Sequence, residues 1–356
     1  MDRRFYLDLA AHGLCMPIGA DLVLHEYSDP EKILLDGTRL GQVIEQTAYR
    51  FGAPLAIPHM DLEIEKEMLL GLLGGSFREP ALSSIDPARF RESLESGLTP
   101  RMQAQADAIR YIAERTELLP VGMCIGPFSL VTRLVADPIT PVAMAGAGLA
   151  AEDDEGIALV ERALELGTPV IMRNIEVQID AGAKAIFVAE PSANVVYFSP
   201  NQIESGSDIF ERFVIEPNRR IKALLDARGA DLIFHCCGEL TDRFVAEFAK
   251  LDPAVLSLGS SRELWKDAAL VPKTTVLYGN LPSKQFYSDD LITAQEVVER
   301  GRELVRKMKA VGHPFILGTE CDVLSVPGCH DTILRKADAV SSCADLGTER
   351  LLQAAG

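Results

Sequence analysis

The stretch Asp231-Leu-Ile-Phe-His-Cys-Cys-Gly-Glu239 places an imidazole and two thiols directly after three apolar residues. Such a run reads as a short buried strand ending in soft metal donors and a glycine turn. On an extended backbone, residues two apart project to the same side. His235 and Cys237 therefore face together, and Cys236 faces away into the core. A buried strand carrying two inert core cysteines is the alternative reading of the same residues. A third thiol, Cys321, stands far down the chain, after another apolar run, Pro314-Phe-Ile-Leu-Gly318. Two thiolates and one imidazole suit zinc, which takes N and S donors in tetrahedral geometry. Three protein donors leave one position open, as catalytic sites do, and the Cys-x-x-Cys hook of many structural sites is missing. Zinc deprotonates a coordinated thiol, so this donor set points to thiolate activation at least as well as to hydrolysis.

Other soft residues compete for attention. Cys329 and His330 form a neighbouring ligand pair after Pro327 and Gly328, and they stay open as rivals for the site. Cys15, Cys124 and Cys343 read as packing residues. His12, His25, His59 and His313 read as surface or hydrogen-bonding groups, and of these only His59 stands near the end of a candidate strand.

The elements that must position these groups are short apolar runs alternating with helical patterns. Candidate strands cover 53–57, 119–125, 185–189, 231–237, 254–258, 274–278 and 314–318, with room for one more. Between them, helices are expected from Leu40 to Gly52, from a Thr99 cap and Pro100, through 157–164, over 169–182, and from Pro217 to Gly229. The clearest runs from Thr293 to Val311, where Thr293 and Glu296 form a capping box and Gly312 ends the stripe. The segment 77–97 reads as surface helix or loop, and 143–151 as a loop. Strand–helix alternation implies a parallel sheet, and about eight units imply a (β/α)8 TIM barrel, with an open doubly wound sheet as the alternative. No Gly-x-Gly-x-x-Gly follows the first strand, which argues against a dinucleotide site. Residues 1–36 read as an irregular N-terminal extension packed on the barrel, and 37–356 as a single catalytic domain. In a parallel barrel the carboxyl ends of the strands converge on one face. Those ends present Asp61, Gly126, Glu190, His235, Cys237, Asn280 and Cys321.

Composition narrows the setting. The 356 residues are 47% hydrophobic, enough for a large core. A formal net charge of −17 disfavours nucleic acid and anionic membrane as partners. No apolar run reaches the length of a membrane span, and the Met-Asp-Arg-Arg start lacks the apolar stretch of a secretory signal. Seven scattered cysteines do not form a disulfide framework, so a reducing cytoplasm is the expected location.

At these residues the chain resembles the uroporphyrinogen decarboxylase superfamily, and most closely its zinc-dependent branch of cobalamin-dependent methyltransferases acting on coenzyme M and related thiols. The likeness rests on Gly126-Pro-Phe128, Gln178-Ile-Asp-Ala-Gly-Ala183, Ala189-Glu-Pro-Ser192, Ser199-Pro200, Gly279-Asn280 and the last strand. His235-x-Cys237-Gly238 with a late Cys321 is its most specific part. Two departures separate the chain from the decarboxylases. The Arg-Gln-Ala-Gly-Arg segment that binds substrate carboxylates has no counterpart in residues 1–50, and Asn174 stands where the decarboxylases carry a catalytic tyrosine. Asp61 falls near their catalytic aspartate.

The resemblance implies zinc on His235, Cys237 and Cys321, and a methyl group moved between a corrinoid and a thiol or methylated small molecule. It makes Glu190 and Glu320 candidates for a fourth position at rest, and Asp61 a candidate for positioning substrate. No segment signals a cobalamin domain, so the corrinoid is expected on a partner protein. A decarboxylase on a porphyrinogen or smaller acid, and a non-catalytic barrel that binds thiol or metal, are the competing readings.

Overall fold

The computed structural model describes residues 3–77, 82, 85–95 and 97–343. Residues 78–81, 83, 84 and 96, inside the stretch read as surface helix or loop, lie outside the described residues, as do 1, 2 and 344–356.

Seven strands form one parallel sheet in sequence order: β1 Leu55–Ala56, β2 Leu119–Ile125, β3 Ala185–Ala189, β4 Asp231–Cys236, β5 Val255–Leu258, β6 Val276–Leu281 and β7 Phe315–Thr319. Every pairing is parallel. Because helices cover the outer face, both sides of each strand are buried, and the period of two sorts the side chains into two cores. Val121, Met123, Phe187, Ile233, Val255, Val276, Tyr278 and Ile316 share the inner cluster. Ile186, Val188, Phe234, Cys236, Leu256 and Leu317 pack outward among the helices. The result is an α/β, TIM-barrel-like arrangement.

An eighth strand, for which the alternation leaves room, is not among the described elements. Beside β7 lies the N-terminal segment instead, in two isolated parallel bridges, Cys15 with Leu317 and Ile18 with Asp322. The Met16 N–H donates to Leu317 O at 3.0 Å, and the Tyr278 hydroxyl donates to Met16 O at 2.8 Å. Tyr6, Leu14, Met16 and Ile18 join the inner cluster. The first 36 residues are also less irregular than their glycines and prolines suggest. They carry a helix, Arg4–Ala11, and two short helical turns, Asp21–Leu24 and Pro30–Ile33.

Local signals held where they were chemically explicit. Thr99 caps the helix Pro100–Arg115 by accepting from the Met102 N–H, and the capping box on Ala294–Val311 is complete, with Gly312 in the left-handed region at its end. Two expectations failed. The segment 143–151, read as a loop, is helical as far as Gly146, in Ile139–Gly146, and non-helical only beyond it. The two helices expected around 157–182 are one, Glu155–Asp180, which carries Pro169 in its interior. Proline removes one helical hydrogen bond, and here a buried face including Leu166, Val170, Ile171 and Ile175 holds the helix through it.

Candidate metal centre

Strand register brings the first donor into place. Ala189 pairs with His235 and His235 with Ser257 across β3, β4 and β5, and all three side chains belong to the inward set. His235 is fully buried, with its ring 5.2 Å from that of Phe187. Its Nδ1 lies 2.8 Å from Ser257 Oγ, while its Nε2 is buried and has no hydrogen-bond partner. β4 ends at Cys236, whose outward thiol is fully buried and donates to Ala193 O at 3.6 Å. Cys237 follows on the turn into Gly238.

Cys321 arrives from the end of β7. The ligand atoms of His235, Cys237 and Cys321 all lie within 4.8 Å of one another. Among the described residues, this is the one group of three or more His, Cys, Asp or Glu side chains gathered so closely. An orphaned imidazole nitrogen facing two half-buried thiols is a cradle of the right donor chemistry for a soft-to-borderline divalent metal. The two thiols shift in opposite directions. A hydrogen bond with Cys321 is the main cause pulling Cys237 well below the ordinary thiol value, helped by His235 and the charge of Lys284. The same hydrogen bond, together with burial, pushes Cys321 up. Lys284, on the turn after β6, is itself shifted upward: burial opposes the shift, and Cys237, Glu320 and Cys321 outweigh it. Its Nζ lies 4.0 Å from Glu320 Oε2.

The other candidate residues are placed differently. Glu190 is fully buried at the start of the helix Pro127–Leu134, where its carboxylate accepts from the N–H of Ser129 at 2.6 Å, of Phe128 at 3.3 Å, and from Asn218 Nδ2 at 3.0 Å. These bonds occupy both its oxygens as a helix cap, and Gly126 leaves the room for it, since a Cβ there would strike the carboxylate. Glu320 accepts from the N–H and hydroxyl of Ser260, at 3.2 and 2.6 Å. Neither glutamate belongs to the cluster of metal-type donors. Cys329 and His330 are not part of it: Cys329 precedes the helix His330–Ser341, and His330 Nε2 lies 3.2 Å from Glu26 Oε1. Asn280 is spent on backbone, donating to Gly259 O and Arg262 O.

Asp61 is buried on the segment after β1, ion-paired to Arg101, with His59 Nε2 3.7 Å away and the Glu63 N–H on its other oxygen. Burial would raise its pKa, but His59 and Arg101 outweigh it and hold the carboxyl below its usual value. This segment touches the metal cluster through Met60, whose Sδ lies 4.0 Å from Cys321 Sγ. Asp322 ties the two together: its Oδ2 accepts from the Met60 N–H at 2.7 Å. Gly19, at φ +81°, leaves space for that carboxylate.

Several of these groups escape sequence reading. Ser257 could have been found as the one hydroxyl in the apolar run Ala254-Val-Leu-Ser-Leu258. Glu65 could not. It is fully buried on the helix Ile64–Leu72, accepts from Asn174 Nδ2 at 2.7 Å, and is pushed up to about 8 by burial.

A family model described as uroporphyrinogen decarboxylase (URO-D) matches residues 61–327, a span from Asp61 past Cys321. A uroporphyrinogen decarboxylase of Roseobacter denitrificans is 26% identical over 310 residues, covering 84% of this chain and 83% of its own length. One of Paracoccus denitrificans is 26% identical over 285 residues, covering 78% of each. Among solved structures, a methyltransferase from Methanosarcina mazei aligns over 98% of this chain and 99% of its own, with a TM-score of 0.67 and 14% identity. At that identity the likeness speaks to the fold.

Proposed function

This chain belongs to the uroporphyrinogen decarboxylase family, and from that premise we propose that it is a zinc-dependent methyltransferase. It moves a methyl group between a corrinoid, carried by a partner protein as a substrate, and a thiol or methylated small molecule. The observation that carries this reading is the buried, unpartnered Nε2 of His235 set against Cys237 and Cys321. A buried polar atom without a partner costs about 1–3 kcal/mol, and coordination removes that cost.

His235, Cys237 and Cys321 would hold the metal. Bound there, zinc supplies Lewis acidity, keeping an acceptor thiol as thiolate or polarising a methylated donor. The chain's own residues do the rest. With Nε2 on the metal, Nδ1–H of His235 would donate a hydrogen bond to Ser257 Oγ, which fixes the tautomer and the ring orientation. Lys284 sets a positive charge beside both sulfurs. Asp61, with Arg101 and His59, provides a buried charged group on the segment that meets Cys321 and positions substrate.

Decarboxylation is the second reading, favoured by the names of the two relatives. Against it stand Asn174, buried on Glu65, where the decarboxylases carry tyrosine, and the absence of their arginine segment from residues 1–50. A porphyrinogen's many carboxylates require several cationic partners. Metal analysis of the purified protein separates the readings: about one zinc per chain, lost in Cys237→Ser, supports the methyltransferase, and a zinc-free wild-type chain contradicts it.

A further inference from the structure

We propose that Met60 is a fourth donor at the metal centre, a thioether that closes the resting site and gives way to an incoming thiolate. The inference rests on the zinc reading of the triad and goes beyond it. Among the described residues no carboxylate, histidine or further cysteine joins His235, Cys237 and Cys321. Glu190 and Glu320, the carboxylates that could have completed the shell, are bound to Ser129 and Asn218 and to Ser260. A fourth donor from the chain must therefore be of another chemical type.

Met60 has the type and the place. Its Sδ lies 4.0 Å from Cys321 Sγ. Two sulfurs on one tetrahedral zinc, each at about 2.3 Å, stand about 3.8 Å apart, so the observed separation is close to that of two ligands on one ion. The backbone holds it there, because the Met60 N–H donates to Asp322, the residue next to Cys321. Thioether sulfur is a soft donor of the kind that suits zinc, copper(I) and iron–sulfur centres. It is neutral and adds no charge to a shell already neutralised by two thiolates. It is also a weaker donor than thiolate, so it would yield the fourth position to a substrate thiolate while His235, Cys237 and Cys321 kept the metal.

Zinc-edge X-ray absorption on the zinc-loaded full chain tests this. We expect three sulfurs and one nitrogen around zinc in the wild type. In Met60→Leu we expect one sulfur fewer, replaced by a light atom, with zinc still bound. The same two-sulfur shell in both proteins overturns the role of Met60 and leaves the triad standing. A wild-type chain that takes up no zinc overturns both. Where Met60→Leu fails to fold, the selenomethionine-labelled wild type decides at the selenium edge. A zinc neighbour at bonding distance supports the assignment, and its absence overturns it.

Discussion

His235 Nδ1 and Ser257 Oγ lie 2.8 Å apart, on residues that the parallel register of β4 and β5 places directly side by side. The ring is thereby oriented by the sheet, and its Nε2 is left without a partner. Ser257→Ala removes the orienting bond without touching a donor atom. Loss of such an outer partner typically weakens metal affinity by about 10–100-fold. Competition against a chromophoric chelator measures it, and an unchanged affinity would mean that packing against Phe187 orients the ring instead.

The three neighbouring thiols should separate by face. Cys237→Ser and Cys321→Ser are expected to lose stoichiometric zinc, because each removes one of the two thiolate donors. Cys236→Ala should keep it. Its thiol points into the outer core, so the expected cost is stability, about 1–2 kcal/mol for a small cavity. Metal content and urea denaturation of the three variants check this together, and zinc loss in Cys236→Ala would contradict the strand geometry.

Glu190 is expected to act on stability and not on metal. Glu190→Ala strands the buried N–H groups of Phe128 and Ser129 and leaves the Asn218 amide only its bond to Val214 O. Unfolding free energy should fall by about 2–4 kcal/mol, with zinc content unchanged in the folded fraction. A stable variant that has lost its metal would reverse the assignment.

Glu65 gives the chain a pH-dependent contribution to stability of definite sign. Burial raises its pKa from 4.5 to about 8 in the folded state. The folded chain therefore binds more protons than the unfolded one across that interval, and stability falls as pH rises through it. The contribution is full below the unfolded value and is lost above the folded one. Its slope is at most about 1.4 kcal/mol per pH unit. Glu65→Gln keeps a group able to bond Asn174 and cannot ionise. Denaturation at a series of pH values from 5 to 8.5 should show a flatter dependence in the variant, and identical slopes would show that Glu65 does not titrate with folding.

How much of this was legible in the sequence follows the range of the interactions. The seven strands, the helix caps and the opposite facing of Cys236 and Cys237 depend on neighbours a few residues apart, and period and cap chemistry reveal them. The convergence of Cys321 with His235 followed from the rule that parallel strands present their carboxyl ends together. Glu190 defeated the same rule. It does stand at a strand end, but the nearby helix Pro127–Leu134 offers it bare N–H groups, and the carboxylate turns to them. The placement of Leu14–Ile18 beside β7 was hidden for a related reason, since Gly13, Pro17 and Gly19 break any periodicity while the pairing is with residues some three hundred positions away. Met60 and Glu65 were out of reach, because their meaning lies in side chains from other elements.

Methyl transfer itself is decided by anaerobic spectroscopy of a corrinoid. Zinc-loaded protein is mixed with methylcobalamin and a panel of small thiols, and the methylcobalamin spectrum is followed. A zinc-dependent methyltransferase shows thiol-dependent demethylation with formation of the methyl thioether, absent from Cys237→Ser. A zinc-loaded wild-type chain that leaves methylcobalamin intact with every thiol, yet releases carbon dioxide from a porphyrinogen, would contradict that function.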